Sequence, residues 1–357
     1  MLFNEFPYER PNLQQYKQRF EEWNRRFSTA AEYSTAKQAL EELNRLRSEM
    51  AKTIKLAYIR YSLDTTDPFY RKENDFWDQQ EPLVDQLHNQ FYQNLLTSAF
   101  RSQLEKDFPA TLFLFAEDQL QLLNDSVIEL KQQENEVISQ YTELIASAQL
   151  EFQGQTCTLS ELAAFFSQPD RTVRQAAHRV YETFFTDNEA AFDTIFDQLV
   201  HLRHQQAQRL GFEDYVAYGD RLMNRWSYDR KQLHAFRQFI LEEVVPINQK
   251  LYQRQKERLG VSTLFHYDLP LNYPTGNPQP QSTDLVKKAQ QMYHELSEET
   301  GAFFDQMVQQ QLLDLASRPG KQSGGYCEFI DGVQMPFIFA NFNGTSDDVD
   351  VLTHETG

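Results

Sequence analysis

The residues with the plainest chemical potential are His354 and Glu355. They match the first two positions of H-E-x-x-H. In that pattern, two histidines four apart lie on one helical face and bind one Zn²⁺. The Glu beside the first His takes a proton from metal-bound water. The second His would stand at position 358, one past Gly357. A His-Glu pair is a short motif, and His294-Glu295 is another, with Glu298 where the second His would be. From spacing alone, a solvated pair on a helix surface is the alternative reading.

Other candidates carry less. His201 and His204 form H-x-x-H, and two His at i, i+3 can share a metal. On a helical wheel, however, His201 lies opposite the Phe192, Phe196 and Leu199 face and His204 on its flank, so both read as solvated helix residues. Cys157 and Cys327 are far apart with no C-x-x-C, and read as small reduced residues in or near the core. Gly324-Gly325 reads either as a flexible loop at a substrate site or as a turn into a strand. No G-x-x-x-x-G-K-[ST], G-x-G-x-x-G or G-x-S-x-G occurs, so nucleotide enzymes and serine hydrolases have no support.

The elements that must position these residues are mostly helices. Residues 1–153 contain no Gly, whereas six of the 12 glycines fall within 320–357. The architecture is therefore predicted to change near residue 320, from long helices to turns and short strands. Leu43, Leu46, Met50, Ile54, Ala57 and Tyr61 step by three or four, an apolar stripe on one helical face. Asp67-Pro68 opens another helix. A further one is predicted over about 188–210, with Phe192, Ile195, Phe196, Leu199, Ala207 and Leu210 sharing a face and Gly211 at C′. Residues 270–280 hold four of the 13 prolines and must be a loop. Tyr326–Ile330, Asp331-Gly332 and Val333–Phe342 predict a β-hairpin with a type I′ turn. Thr345 or Ser346 is expected to N-cap a helix whose first turn holds Asp347, Asp348 and Asp350. A chain that stops within such a helix is expected to be a fragment.

Composition excludes several classes. At 357 residues the chain is long enough for about two domains and a core without staples. A net charge of −18 opposes binding to nucleic acid. Three Trp, 17 Tyr and 28 Phe are too many for a disordered chain. Mean hydropathy is −0.65, and no apolar run approaches 18 residues, so no membrane span is expected. The start, MLFNEFPYERPN, lacks a basic segment followed by an apolar run. With only two cysteines, a reducing, cytoplasmic location is expected.

Longer segments carry a resemblance. FPYERPN near the start, ELIASAQLEFQGQTCTLSELAAFFSQPD at 143–170 with the following RTVRQAA, LGFEDYVAYG at 210–219, YDLP at 267–270 and PTGNPQP at 274–280 resemble the oligoendopeptidase F family of zinc metallopeptidases, relatives of thimet oligopeptidase. The likeness is strongest in SGGYCEFIDGVQMPFIFANFNGTSDDVDVLTHETG at 323–357. It implies a mainly α, two-part zincin-like fold with a small β-hairpin or sheet near the active site. An N-terminal helical domain is expected over 1–190 and the front part of the catalytic domain over 191–357. The resemblance makes His354 the first zinc ligand and Glu355 the general base. Strand 337–342, with Phe339 and Asn341, resembles the strand along which an extended peptide lies, and Gly324 and Gly325 a loop near the bound substrate. The implied partners are short peptides, cut at internal bonds, with one zinc ion as cofactor. The family's second His, its third ligand and its downstream His and Tyr groups have no counterpart here, so these 357 residues alone are expected to be inactive and to hold zinc weakly. Two other readings stay open: a non-catalytic peptide-binding relative and a helical interaction scaffold.

Overall fold

A computed structural model describes residues 1–280 and 282–357, and up to residue 146 it is helix upon helix. These helices are α1 (Leu13–Ser28), α2 (Tyr33–Leu63), α3 (Pro68–Leu96), α4 (Arg101–Asp107), α5 (Ala110–Leu122) and α6 (Ile128–Ala146). The stripe on α2 is buried at Leu43, Leu46, Met50, Ala57 and Tyr61 and half-buried at Ile54. Asp67 caps α3, its carboxylate accepting from the N–H groups of Phe69 (2.8 Å) and Tyr70 (3.2 Å), ahead of Pro68. Pro82 lies within α3 and cannot donate to the carbonyl of Asp78. The Asn135 side chain of α6 donates to that carbonyl instead, at 3.1 Å, so the helix continues.

A short antiparallel hairpin follows, β1 (Leu150–Phe152) with β2 (Gln155–Cys157). Its two turn residues, Gln153 and Gly154, have φ of 49° and 82°, as a type I′ turn requires. The chain then runs through α7 (Leu159–Ala163), α8 (Arg171–Asp187), α9 (Glu189–Arg209), α10 (Tyr215–Leu222), α11 (Arg230–Phe239) and α12 (Val245–Leu259). Residues 270–280 are irregular, as their prolines demand, and α13 (Ser282–Leu296) and α14 (Glu298–Gln309) follow. Gly211 takes φ 82° just past α9. The expected apolar face of α9 is only partly buried: Ile195 and Ala207 are inside, but Phe196 is 69% exposed. The physical reason is that α9 meets α6 partly through polar groups, with Glu134 accepting from Arg203 (2.7 Å) and Gln206 (2.8 Å). Among the described residues no helix is long and apolar enough to cross a membrane.

The final region holds a three-stranded sheet in the order β3 (Leu313–Ala316), β5 (Met335–Phe342), β4 (Tyr326–Ile330). β3 runs parallel to β5 and β4 antiparallel to it, with Tyr326 opposite Phe339 and Ile330 opposite Met335. The expected hairpin is present, but its turn differs from a two-residue type I′. Residues 331–334 form the connection, the N–H groups of Val333 and Gln334 both reach the carbonyl of Ile330, and Gln334 takes the positive φ (59°). Gly332 is needed for space instead: a Cβ there would lie 2.7 Å from Cδ of Lys52.

Two main cores hold these elements. One joins Phe20, Leu40, Leu43, Phe91 and Leu95 among α1, α2 and α3. The other surrounds the sheet, where Phe304, Met307, Phe337, Ile338 and Leu352 meet Leu56 and Ile59 of α2 and Phe3 and Phe6 from the start of the chain. The Phe3 and Phe337 ring centroids are 4.3 Å apart.

Candidate active site

β5 delivers the chain to α15 (Asp347–Thr356), the helix that carries His354 and Glu355. No Thr345 or Ser346 hydroxyl caps this helix. The hydroxyl and N–H of Thr345 both donate to Oδ1 of Asn343, at 2.7 and 3.2 Å. The turn is instead held by Asp348, whose carboxylate accepts the N–H groups of Asn343 (3.0 Å) and Gly344 (2.8 Å). Burial pushes the Asp348 carboxyl up, against the pull of those two N–H groups. Leu352 seats the helix in the sheet core.

A cleft of about 340 Å³ opens beside α15. One wall comes from α7 and α8, with Ser160 and Tyr181. The other comes from Gly324, Gly325, Asn341, Val351 and Glu355. Hydrogen bonds tie the walls together: Asn343 donates to the carbonyl of Ser160 at 2.9 Å, and the Ser160 hydroxyl donates to that of Asn341. The Asn341 amide also donates to the carbonyls of Gln322 and Gly324, both at 2.8 Å, and so fixes the loop ahead of β4. Gly324 takes φ 89°. At Gly325 a Cβ would sit 3.2 Å from the carbonyl oxygen of Phe339 and 3.7 Å from Oε1 of Glu355. The Glu355 carboxylate thus lies against a stretch of backbone that has no side chain.

Adjacent helical residues point about 100° apart, and the two members of the pair separate accordingly. Glu355 lines the cleft, whereas His354 is exposed and does not. Phe339 is fully buried, stacked on Tyr326 at 4.7 Å with the Lys321 ammonium 4.4 Å from its ring centre. This corrects its expected place as a substrate contact: its side chain packs the sheet, and only its backbone approaches the cleft. A second correction concerns the strand. β5 pairs with β4 over Met335–Phe339 and with β3 from Ile338 to Phe342, so at Ile338 and Phe339 both of its edges are taken and elsewhere along the expected strand one is. The free edge beside the Gly324-Gly325 loop belongs to β4. Beneath the loop, the buried Lys321 donates to the carbonyls of Asp314 (3.1 Å), Ala316 (2.9 Å) and Ala340 and to the Asp314 carboxylate (2.7 Å).

The other sequence candidates fall outside this cleft. His201 and His204 are exposed on α9, as expected, and His201 bonds only the carbonyl of Asp197. Cys157 is buried. Cys327 is exposed on β4 rather than in the core, and burial by its neighbours, then Glu355 and Glu328, push its thiol up.

The geometry can be set beside known proteins. Residues 3–123 match the Peptidase M3 N-terminal domain, and residues 164–357 match Peptidase family M3. The chain belongs to peptidase family M3. Solved structures similar to this M3 chain include one assigned as oligoendopeptidase F, 42% identical with a TM-score of 0.97, matched over 100% of this chain and 64% of that one. A Pz peptidase A bound to an inhibitor is also 42% identical with a TM-score of 0.97, over 99% and 63%. A protein of Bacillus anthracis strain Ames assigned as oligoendopeptidase F is 40% identical, again at 0.97, over 100% and 66%. The M3 chain therefore spans 63 to 66% of the length of these three structures. No curated protein matches it.

A catalytic zinc takes three protein donors and a water. Among the described residues, His354 belongs to no group of three His, Cys, Asp or Glu side chains able to meet at one ion. Its imidazole offers a single donor atom there. The described residues do bring one such group together elsewhere: His178 and Glu182 on α8, with His266. Sequence reasoning missed it, although H-x-x-x-E on a helix places both side chains on one face.

Proposed function

We propose that the chain is the front part of a zinc-dependent oligoendopeptidase that hydrolyses internal bonds of short peptides. The observation that carries this reading is the position of Glu355: its carboxylate lines the cleft beside Gly325, where the free-edged strand β4 begins. Family membership supports the reading. Zinc, held by His354 and by donors from outside these residues, would supply an acidified water and a polarised carbonyl.

The chain's own residues have definite parts in this proposal. An extended peptide adds to the outer edge of β4, its backbone paired as a further strand. Asn341 holds the Gln322 and Gly324 carbonyls so that the loop leading into that strand keeps its shape. Gly325 leaves room for peptide backbone next to Glu355. Glu355 takes a proton from the attacking water and passes it to the leaving nitrogen. The division near residue 190 belongs to the same proposal, since residues 159–181 form one wall of the cleft and residues 323–355 the other. So does a cytoplasmic location, in keeping with two cysteines that are both free.

The exposed apolar residues Phe236, Phe239, Ile247 and Leu251 on α11 and α12 give a surface that further sequence would cover. The 357 residues alone are accordingly proposed to be inactive and prone to self-association. The test compares the 357-residue chain with the full-length protein on an internally quenched peptide, with zinc content measured in both. Cleavage by the longer protein alone, with one more tightly held zinc per chain than the 357 residues retain, supports the reading. A full-length protein that binds short peptides without cutting any would overturn it.

A further inference from the structure

α8 carries His178 and Glu182 one turn apart, and the turn at 266–268 brings His266 to them. One donor atom from each of the three lies within 4.8 Å of the other two. Nε2 of His266 is 3.0 Å from Oε1 of Glu182, and both side chains are more than half exposed. The His178 ring stacks on Phe166 at 3.9 Å and stands nearly perpendicular to the His266 ring, 5.2 Å away. Nε2 of His178 is buried and has no hydrogen-bond partner.

The 3.0 Å contact between His266 and Glu182 accounts for two of these groups and leaves the third unexplained. His178 faces the pair with an unpartnered ring, which is how an imidazole available as a ligand is placed. The backbone around the cluster is fixed independently of it. Arg171 and Arg174 of α8 both bond the carboxylate of Asp268 at 2.7 Å, and Arg174 also donates to the carbonyl of Tyr267 at 3.1 Å. The turn bearing His266 is therefore pinned to α8 whether or not the histidines are engaged. The same contacts engage both guanidinium groups with Asp268, whose single negative charge offsets half of theirs.

We propose that His178, Glu182 and His266 form a site for a divalent transition ion of the zinc class, distinct from His354. Two imidazoles and a carboxylate suit such an ion, with water completing the shell. Tetrahedral bonds of zinc length put donor atoms about 3.3 Å apart. Rotation of the two exposed side chains, Glu182 and His266, closes the difference from the present spacing. The ion ties α8 to the 266–268 turn. It also sits behind the cleft wall: Tyr181, next to Glu182, lines the cleft, and its ring is 5.5 Å from Phe166.

Binding of Zn²⁺ to the metal-stripped 357-residue chain, measured by calorimetry, tests the site without any assay of peptidase activity. The expected result is about one equivalent bound with micromolar affinity, at least tenfold weaker in H266A and E182Q and unchanged in H354A. Thermal unfolding of each variant without metal checks its fold, and zinc should raise the melting temperature of the wild-type chain but not of H266A. Co²⁺ bound at the site should give a visible absorption band that H266A lacks. Wild-type affinity in H266A and E182Q, loss of binding in H354A, or no saturable binding of zinc would each overturn the assignment.

Discussion

The helices α15 and α8 each carry an imidazole and a carboxylate, and they arrange them in opposite ways. On α15, His354 and Glu355 are neighbours in sequence and point apart, one to solvent and one into a cleft. On α8, His178 and Glu182 are four residues apart and converge with His266 on one point. Adjacent residues divide labour between two faces, whereas residues one turn apart act together. The adjacent pair suits a ligand beside a base. The spaced pair suits two ligands.

The largest expected effect separates those roles on α15. In the full-length protein, Glu355→Gln should lower kcat by about two to four orders of magnitude, the span for losing a positioned proton carrier. Zinc content should stay at the wild-type level, because no donor is lost. An unchanged kcat would remove Glu355 from the chemistry, and loss of zinc would make it a ligand like Glu182.

The next effect concerns α8. Asp268 is fully buried, and Asp268→Ala strands the buried Arg174 without its counter-charge. Removing one partner of such a buried pair costs about 3–5 kcal/mol, to be read by denaturant unfolding. The same change should loosen the turn that carries His266 and weaken zinc binding there. Acid provides a gentler version. Burial alone would raise the Asp268 carboxyl, but Arg171, the Phe265 N–H and Arg174 together hold it at about 2. An unfolded Asp titrates at about 3.9. The stabilisation is thus complete above that value and is lost as pH falls toward 2. A stability–pH curve should slope downward in that window, and the slope should shrink in Asp268→Asn.

A smaller change is expected at the cleft. Asn341→Ala removes two hydrogen bonds to the loop at 322–324, worth about 1–2 kcal/mol together. In the full-length protein it should raise KM several-fold while kcat changes less. The reverse split would mean that the loop serves catalysis rather than peptide placement. Smallest of all, His201→Ala and His204→Ala should leave zinc binding unchanged and stability within about 0.5 kcal/mol, as for exposed positions away from the core. A loss of zinc in either would extend metal chemistry to α9.

How far these features were legible in the sequence follows from the range of the interactions behind them. The helix at α2, the cap at Asp67 and the glycine after α9 rest on contacts within a few residues, and the sequence shows them directly. The hairpin of β4 and β5 was legible as alternation with a turn. The type of that turn was not, because Gly332 answers to Lys52, 280 residues earlier. At the candidate site, Glu355, Gly324, Gly325 and Asn341 come together along one cleft. Phe339 looked the same in sequence and turned inward, since β3 on the far side of β5 makes that strand central. The group at His178, Glu182 and His266 spans 88 residues, and only the folded chain brings its third member in.

The sheet core has one more consequence, for the order in which the molecule can be made. Phe3 rests on Phe337, and its N–H donates to the carbonyl of Gln310 at 2.8 Å. At roughly 5–20 residues per second, the ribosome takes on the order of 17–70 s to add the 334 residues between the two rings. For that interval Phe3, Phe6, Leu56 and Ile59 have no permanent cover. The long helices of the first half can form while synthesis continues, but the core that holds Phe3 and Phe6 cannot close until β5 has been made. A newly made chain therefore keeps Phe3 and Phe6 without their partners on β5 long after both have left the tunnel.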